Sequence, residues 1–202
     1  MAAFDALFIT ALYHANLGTR LNPELEAAAL LIAAQDKAGR RWAKDHGYKG
    51  YTSYAALDDL PQRAPAFAAL AKQLDRHAAG FARHADFDLR RRKLKLDSLW
   101  VNVMRKGAIH APHIHPHAVI SGTYYVTVPP GSGVIRFEDP RLPLMMAAPP
   151  RRKAARPGNR LFVDLRPRPG LLLLWESWLR HGVEENRATA PRISVSFNYR
   201  LD

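Results

Sequence analysis

No cysteine occurs in the 202 residues, so disulfides and thiolate metal sites are excluded, and any transition metal has to be held by His, Asp or Glu. No run of about 18 apolar residues is available to span a bilayer. The first residues, MAAFDALFITALYHANLG, place no basic segment ahead of their apolar stretch. The expectation is a soluble, cytoplasmic protein without a membrane partner. Repeats and low-complexity tracts are also lacking. With 48% hydrophobic residues, the chain can form one substantial core but is short for two. It therefore reads as a single domain over 1–202, with 1–95 as mainly helical support and 96–202 as the core.

Acidic residues are scarce, 18 against 30 Lys and Arg, which leaves a formal charge of +12. Such an excess raises nucleic acid or another acidic partner as a possibility. The positive charge is local, at Arg90, Arg91, Arg92, Lys93 and Lys95 and again at Arg151, Arg152, Lys153, Arg156 and Arg160. The second cluster sits among prolines in a basic loop at 141–160, and neither is interleaved with aromatic residues. The plain reading is a solvated loop or helix end, with the 141–160 loop also a candidate lid. Nothing in the sequence sets the oligomeric state.

Asn22-Pro23-Glu24 followed by LEAAALLIAAQDKAGRRWA has an N-cap, an early proline and a basic end, predicting a helix to about Lys44. A second helical stretch from about Pro61 to about Asp86 spaces Phe67, Leu70, Leu74, His77 and Phe81 by three or four. His77 and His84 are accordingly read as structural or exposed. Beyond Lys93 the period becomes two, in LDSLWVNVM, AVISGTYYVTV, GVIRFED, RLFVDL, GLLLLWE and RISVSFNYR. This predicts an α+β protein: a double-sheet jelly roll with helices packed on one sheet.

Nine histidines are present, and four of them, His110, His113, His115 and His117, fall within HAPHIHPH just before a strand. In extended chain alternate side chains share a face, so His113 and His115 can converge on one ion, and imidazole suits iron, zinc, copper or nickel. If the parity continues without a bulge, Ser121, Thr123 and Tyr125 line the same surface. In RISVSFN, Arg192, Ser194, Ser196 and Asn198 form a polar face opposite Ile193, Val195 and Phe197. An arginine on a cavity-facing strand, with a hydroxyl two residues on, is a clamp for a carboxylate. His181 ends GLLLLWESWLRH, an apolar strand and turn, and its position before the arginine strand makes it a candidate ligand. Val103, Ile135, Phe137 and Trp175 are read as pocket or core residues.

HIHPHAVISGTYYV, GVIRFEDPR, WESWLRHGV and RISVSFN, taken in order, resemble iron(II)/2-oxoglutarate-dependent oxygenases related to the prolyl hydroxylases. The resemblance runs from about Trp100 to Asn198 and implies a double-stranded β-helix core. It implies iron(II) on His113, His115 and His181, with 2-oxoglutarate as co-substrate on Arg192, Ser194 and Tyr125. Asn102, Thr123 and Asn198 are then assigned to the substrate pocket. The usual carboxylate ligand is replaced by His115, so either three neutral imidazoles hold the iron or an acid such as Asp139 or Glu138 contributes. His117 is a further alternative. The implied reaction uses dioxygen to hydroxylate a small molecule or a protein side chain while 2-oxoglutarate is converted to succinate and carbon dioxide. Two other readings stand beside it. One is a three-histidine cupin-like enzyme without an oxo acid, and the other is a basic nucleic-acid-binding module on the same fold.

Overall fold

The switch from three-and-four spacing to alternation after Lys93 marks the passage from helices to sheets. The computed structural model describes residues 1–54 and 56–202. Its first half holds β1 (Leu12–Asn16), α1 (Asn22–Gln35), α2 (Lys37–Asp45), β2 (Gly50–Thr52), α3 (Leu60–Arg63) and α4 (Pro65–His84). There follow β3 (Leu94–Met104), β4 (His110–His113), β5 (Ile120–Thr127), β6 (Ile135–Glu138), β7 (Phe162–Leu165), β8 (Leu171–Glu176), β9 (His181–Val183) and β10 (Arg192–Leu201). The strands form a six-stranded sheet in the order β1-β8-β5-β10-β3-β2 and a four-stranded sheet in the order β4-β9-β6-β7. Every pairing is antiparallel.

The large sheet is buried on both faces. Ile120, Tyr124 and Val126 of β5 and Val195, Phe197 and Tyr199 of β10 pack against Leu25 of α1 and Phe67, Leu70, Leu74 and Phe81 of α4. On the other face Tyr125, Leu171, Leu173 and Trp175 pack against Ile135 and Phe137 of the small sheet. Burial on two sides explains why LLLL in β8 is apolar throughout, whereas β10 keeps a polar row facing the gap between the sheets. Val103 belongs to the helix-facing core, away from that gap.

Three details differ from expectation. The helix predicted from Asn22 to Lys44 is two helices. Asp36 takes an extended ψ of 94°, and its side chain caps α2 by accepting from the Gly39 amide at 3.0 Å. Its second carboxylate oxygen accepts from Tyr51 Oη at 2.8 Å, so a tertiary contact invisible to periodicity breaks the helix. Asn22 is not the cap of α1. That position is Leu21, and the Asn22 amide instead donates to the Val126 carbonyl at 2.7 Å, tying α1 to β5. Strands β1, β2, β4 and β9 are additional to the six read from alternation.

Candidate active site

β4 and β9 are the elements that assemble the site. They pair antiparallel with His113 directly opposite His181, so the sheet register joins two histidines far apart in the chain. β4 ends at His113. His115 therefore lies not on the strand but in the turn after it, where its amide donates to the Ser177 carbonyl at 3.0 Å. The ring centroids are 4.5 Å apart for His113 and His181, 5.0 Å for His113 and His115, and 5.3 Å for His115 and His181. One ring nitrogen from each of the three residues lies within 4.8 Å of the others.

Hydrogen bonds orient these rings for a ligand's role. His113 Nδ1 lies 2.7 Å from the Ala111 carbonyl, and His181 Nδ1 lies 2.9 Å from the Leu179 carbonyl. A carbonyl only accepts, so each Nδ1 carries the proton and Nε2 is the nitrogen turned to the cluster in the neutral ring. The Asn198 side-chain amide stands 3.4 Å from His115 Nδ1. Burial, followed by the neighbouring His113, lowers His181 to about 3 and His115 to about 4. Both are neutral imidazoles at neutral pH, as a metal requires. The donor set is three imidazole nitrogens, a fit for a divalent transition metal.

The other candidate ligands are engaged elsewhere. Asp139 is held by Arg141, with Oδ2 2.8 Å from Nη2, and Glu138 faces Arg180 at 3.3 Å. His117 is exposed. Among the described residues the cluster comprises His113, His115 and His181. His77 accepts or donates a bond with Tyr13 Oη at 2.7 Å, and His84 is exposed, both away from the cluster.

The polar row of β10 faces the same gap. Arg192 is 2% exposed, yet no carboxylate pairs with it among the described residues. Its Nη1 donates to Met104 Sδ at 2.8 Å, its guanidinium carbon lies 5.1 Å from the Tyr125 ring centre, and its Nε has no partner. Tyr125 Oη and Trp175 Nε1 are likewise buried and unpartnered. Burying a charge and several donors without acceptors is costly, so these groups suit an anionic partner. Ser194 sits in register between Tyr125 and Asn102. Trp175 links this end to the histidine cluster, its ring centre 4.6 Å from that of His181.

Asn102 Nδ2 donates to Ser196 Oγ at 3.2 Å, and Ser196 Oγ donates to Thr123 Oγ1 at 3.3 Å. Ser121 Oγ donates to Asn198 Oδ1 at 2.8 Å. These residues form a polar floor of bonded side chains rather than free binding groups. Two residues near Arg192 were not singled out by pattern. Tyr48 Oη and His110 Nε2 are 2.7 Å apart, and Arg192 acts electrostatically on both. His110 was visible only as part of the histidine cluster. Tyr48 comes from the α2–β2 connection and carries no sequence signal.

Three clustered imidazoles and a buried guanidinium without a carboxylate partner among the described residues suit a metal-dependent enzyme that uses a small anionic co-substrate. The family model described as "Putative 2OG-Fe(II) oxygenase" matches residues 98–198, half of the chain. The chain belongs to that family and is an iron(II)- and 2-oxoglutarate-dependent oxygenase. Among solved structures it is similar to the epimerase SnoN from nogalamycin biosynthesis in complex with Fe3+, alpha ketoglutarate and nogalamycin RO. The identity is 19%, the TM-score 0.68, and the match covers 95% of this chain and 79% of that one. A prolyl-4-hydroxylase of Pseudomonas putida is 15% identical with a TM-score of 0.64, over 95% of this chain and 92% of that one. HygX from Streptomyces hygroscopicus, with nickel and 2-oxoglutarate bound, is 15% identical with a TM-score of 0.62, over 95% and 83% of the two chains. A search of curated proteins returns no match.

Proposed function

We propose that His113, His115 and His181 hold the iron, that Arg192 with Tyr125 and Ser194 binds the distal carboxylate of 2-oxoglutarate, and that the enzyme hydroxylates a C–H bond. The observation that carries this reading is the buried guanidinium of Arg192, whose Nε lacks a partner beside the equally unpartnered Tyr125 Oη. A carboxylate between them would accept from both, and the guanidinium fork would fix its orientation. Neither an enzyme working without an oxo acid nor a nucleic-acid module gives these buried donors an acceptor. The two sheets are then the halves of a double-stranded β-helix within one domain, and the cytoplasm is a suitable setting for a chain without cysteine.

Iron(II) held by these histidines would supply the redox chemistry that couples dioxygen to the decarboxylation of 2-oxoglutarate, one oxygen atom ending in succinate and the other in the substrate hydroxyl. The chain's own residues position and shield. The Ala111 and Leu179 carbonyls hold His113 and His181 in the tautomer that presents Nε2. Trp175 and Phe137, with ring centres 4.6 and 6.0 Å from that of His181, keep water from that side of the cluster. The polar row on β10 and β5 gives the floor a fixed hydrogen-bonding pattern.

Succinate release from 2-oxoglutarate, dependent on added iron(II) with ascorbate, tests the reading. His181→Ala is expected to abolish iron binding. Arg192→Ala is expected to weaken 2-oxoglutarate binding at least tenfold while metal content stays at the wild-type level. An unchanged affinity for 2-oxoglutarate in the arginine variant refutes the co-substrate assignment.

A further inference from the structure

A groove of about 360 Å³ opens on the surface with His115 in its wall, and of the three clustered histidines it is the one that reaches it. Its sides come from four places in the chain. Ile114 and Val119 flank His115 in the β4–β5 connection, Phe87 follows α4, Glu176 ends β8 with Trp178 in the turn after it, and Leu201 comes from β10. Trp178 and Ile114 are 46% and 45% exposed, so large apolar surface is presented to solvent beside the candidate metal centre.

The charge of this groove is opposite to that of the molecule. On a chain of net charge +12, its lining includes Asp88 and Glu176 and no Lys or Arg. Asp88 is already paired with Arg90 at 2.7 Å. Glu176 receives a hydrogen bond from Trp178 Nε1 at 2.9 Å, which fixes its carboxylate against the indole edge without neutralising it. Arg90 of the first basic cluster therefore offsets Asp88, and Glu176 is the lining carboxylate that has no cationic partner among the described residues.

We propose that this groove selects a substrate with an apolar, ring-sized body and an amine or other cationic group, the body lying on Trp178 and Ile114 and the cation on Glu176. The inference rests on the assignment of His115 to the metal, because that residue brings whatever occupies the groove next to the reacting centre. A π face with a carboxylate at its edge suits such a ligand twice, through cation–π attraction and through an ion pair.

Titration calorimetry of the full chain with phenethylamine and with 3-phenylpropionate, which share a ring and linker and differ in the sign of their charge, tests the selection. The measurement is made on the metal-free protein and repeated with nickel and 2-oxoglutarate. The amine is expected to bind at least tenfold more tightly than the acid. Glu176→Gln is expected to bring that ratio close to one, and Trp178→Ala to weaken both ligands. Equal affinities in the wild-type chain, no binding of either probe, or a preference that survives Glu176→Gln overturns the proposal. The wild-type ratio decides even if the glutamine variant fails to fold. Iron-dependent succinate release is followed in parallel. Release without charge selection defeats the groove assignment alone, whereas charge selection without release defeats the oxygenase site.

Discussion

At the scale of single residues, the site is made of groups held in states that water would not favour. His110 illustrates the cost. Burial, then Arg192 and then His113 lower its imidazole from 6.5 to about 3. Between those values the unfolded chain binds a proton that the folded chain refuses, so stability falls as pH drops below about 6.5 and continues to fall toward about 3. His181, lowered to about 3, acts in the same direction. Urea unfolding of the metal-free protein at pH 7.5 and pH 5 should therefore show a loss of stability on acidification, and His110→Gln should make that loss smaller. An identical loss in the variant would show that His110 titrates normally. The candidate ligands themselves were legible, since His113, His115, His181 and Arg192 are residue types with few roles in a buried strand or turn. What the parity argument missed is the end of β4 at His113, after which a backbone bond to Ser177 rather than strand alternation places His115.

Elements were legible in proportion to how much of their environment is local. β10 reads directly from RISVSFN, because one face meets the helices and the other the inter-sheet gap, and alternation records both. β9 has three residues and β4 four, too few for a period to develop, and their pairing depends on partners distant in the chain. β1 is an edge strand whose register on β8 is set by the large sheet. Central β5 shows a constraint of the opposite kind. A Cβ at Gly122 would lie 2.4 Å from Phe197 Cζ and 2.6 Å from the Leu173 carbonyl, so glycine is required where β8 and the Phe197 ring close on the strand. Gly122→Ala should cost about 1–3 kcal/mol, the usual range for overpacking a core. Denaturant unfolding measures it. A loss below about 0.5 kcal/mol, typical of unconstrained surface sites, would mean that Phe197 can move aside freely.

For the whole molecule, the layered arrangement separates what holds the fold from what performs the chemistry. The helices and the outer face of the large sheet bury the aromatic and aliphatic core, while the inter-sheet gap keeps unpartnered donors and neutral imidazoles. Removing metal should consequently leave the chain folded, and adding ligands should stabilise it in two separable increments. A ligand at a hundred times its dissociation constant contributes about 2.7 kcal/mol. In a protein of this length that corresponds to a rise in Tm of roughly 5–10 °C. Nickel alone should give the first increment, and 2-oxoglutarate added on top of nickel the second. His181→Ala should remove the metal increment. Arg192→Ala should keep the metal increment and lose the second, because in the proposed arrangement the guanidinium meets the oxo acid and not the ion. Differential scanning fluorimetry reads all of these states. If Arg192→Ala responds to 2-oxoglutarate as the unaltered chain does, the buried charge serves some other anion, and the division of labour between the imidazoles and the guanidinium fails with it.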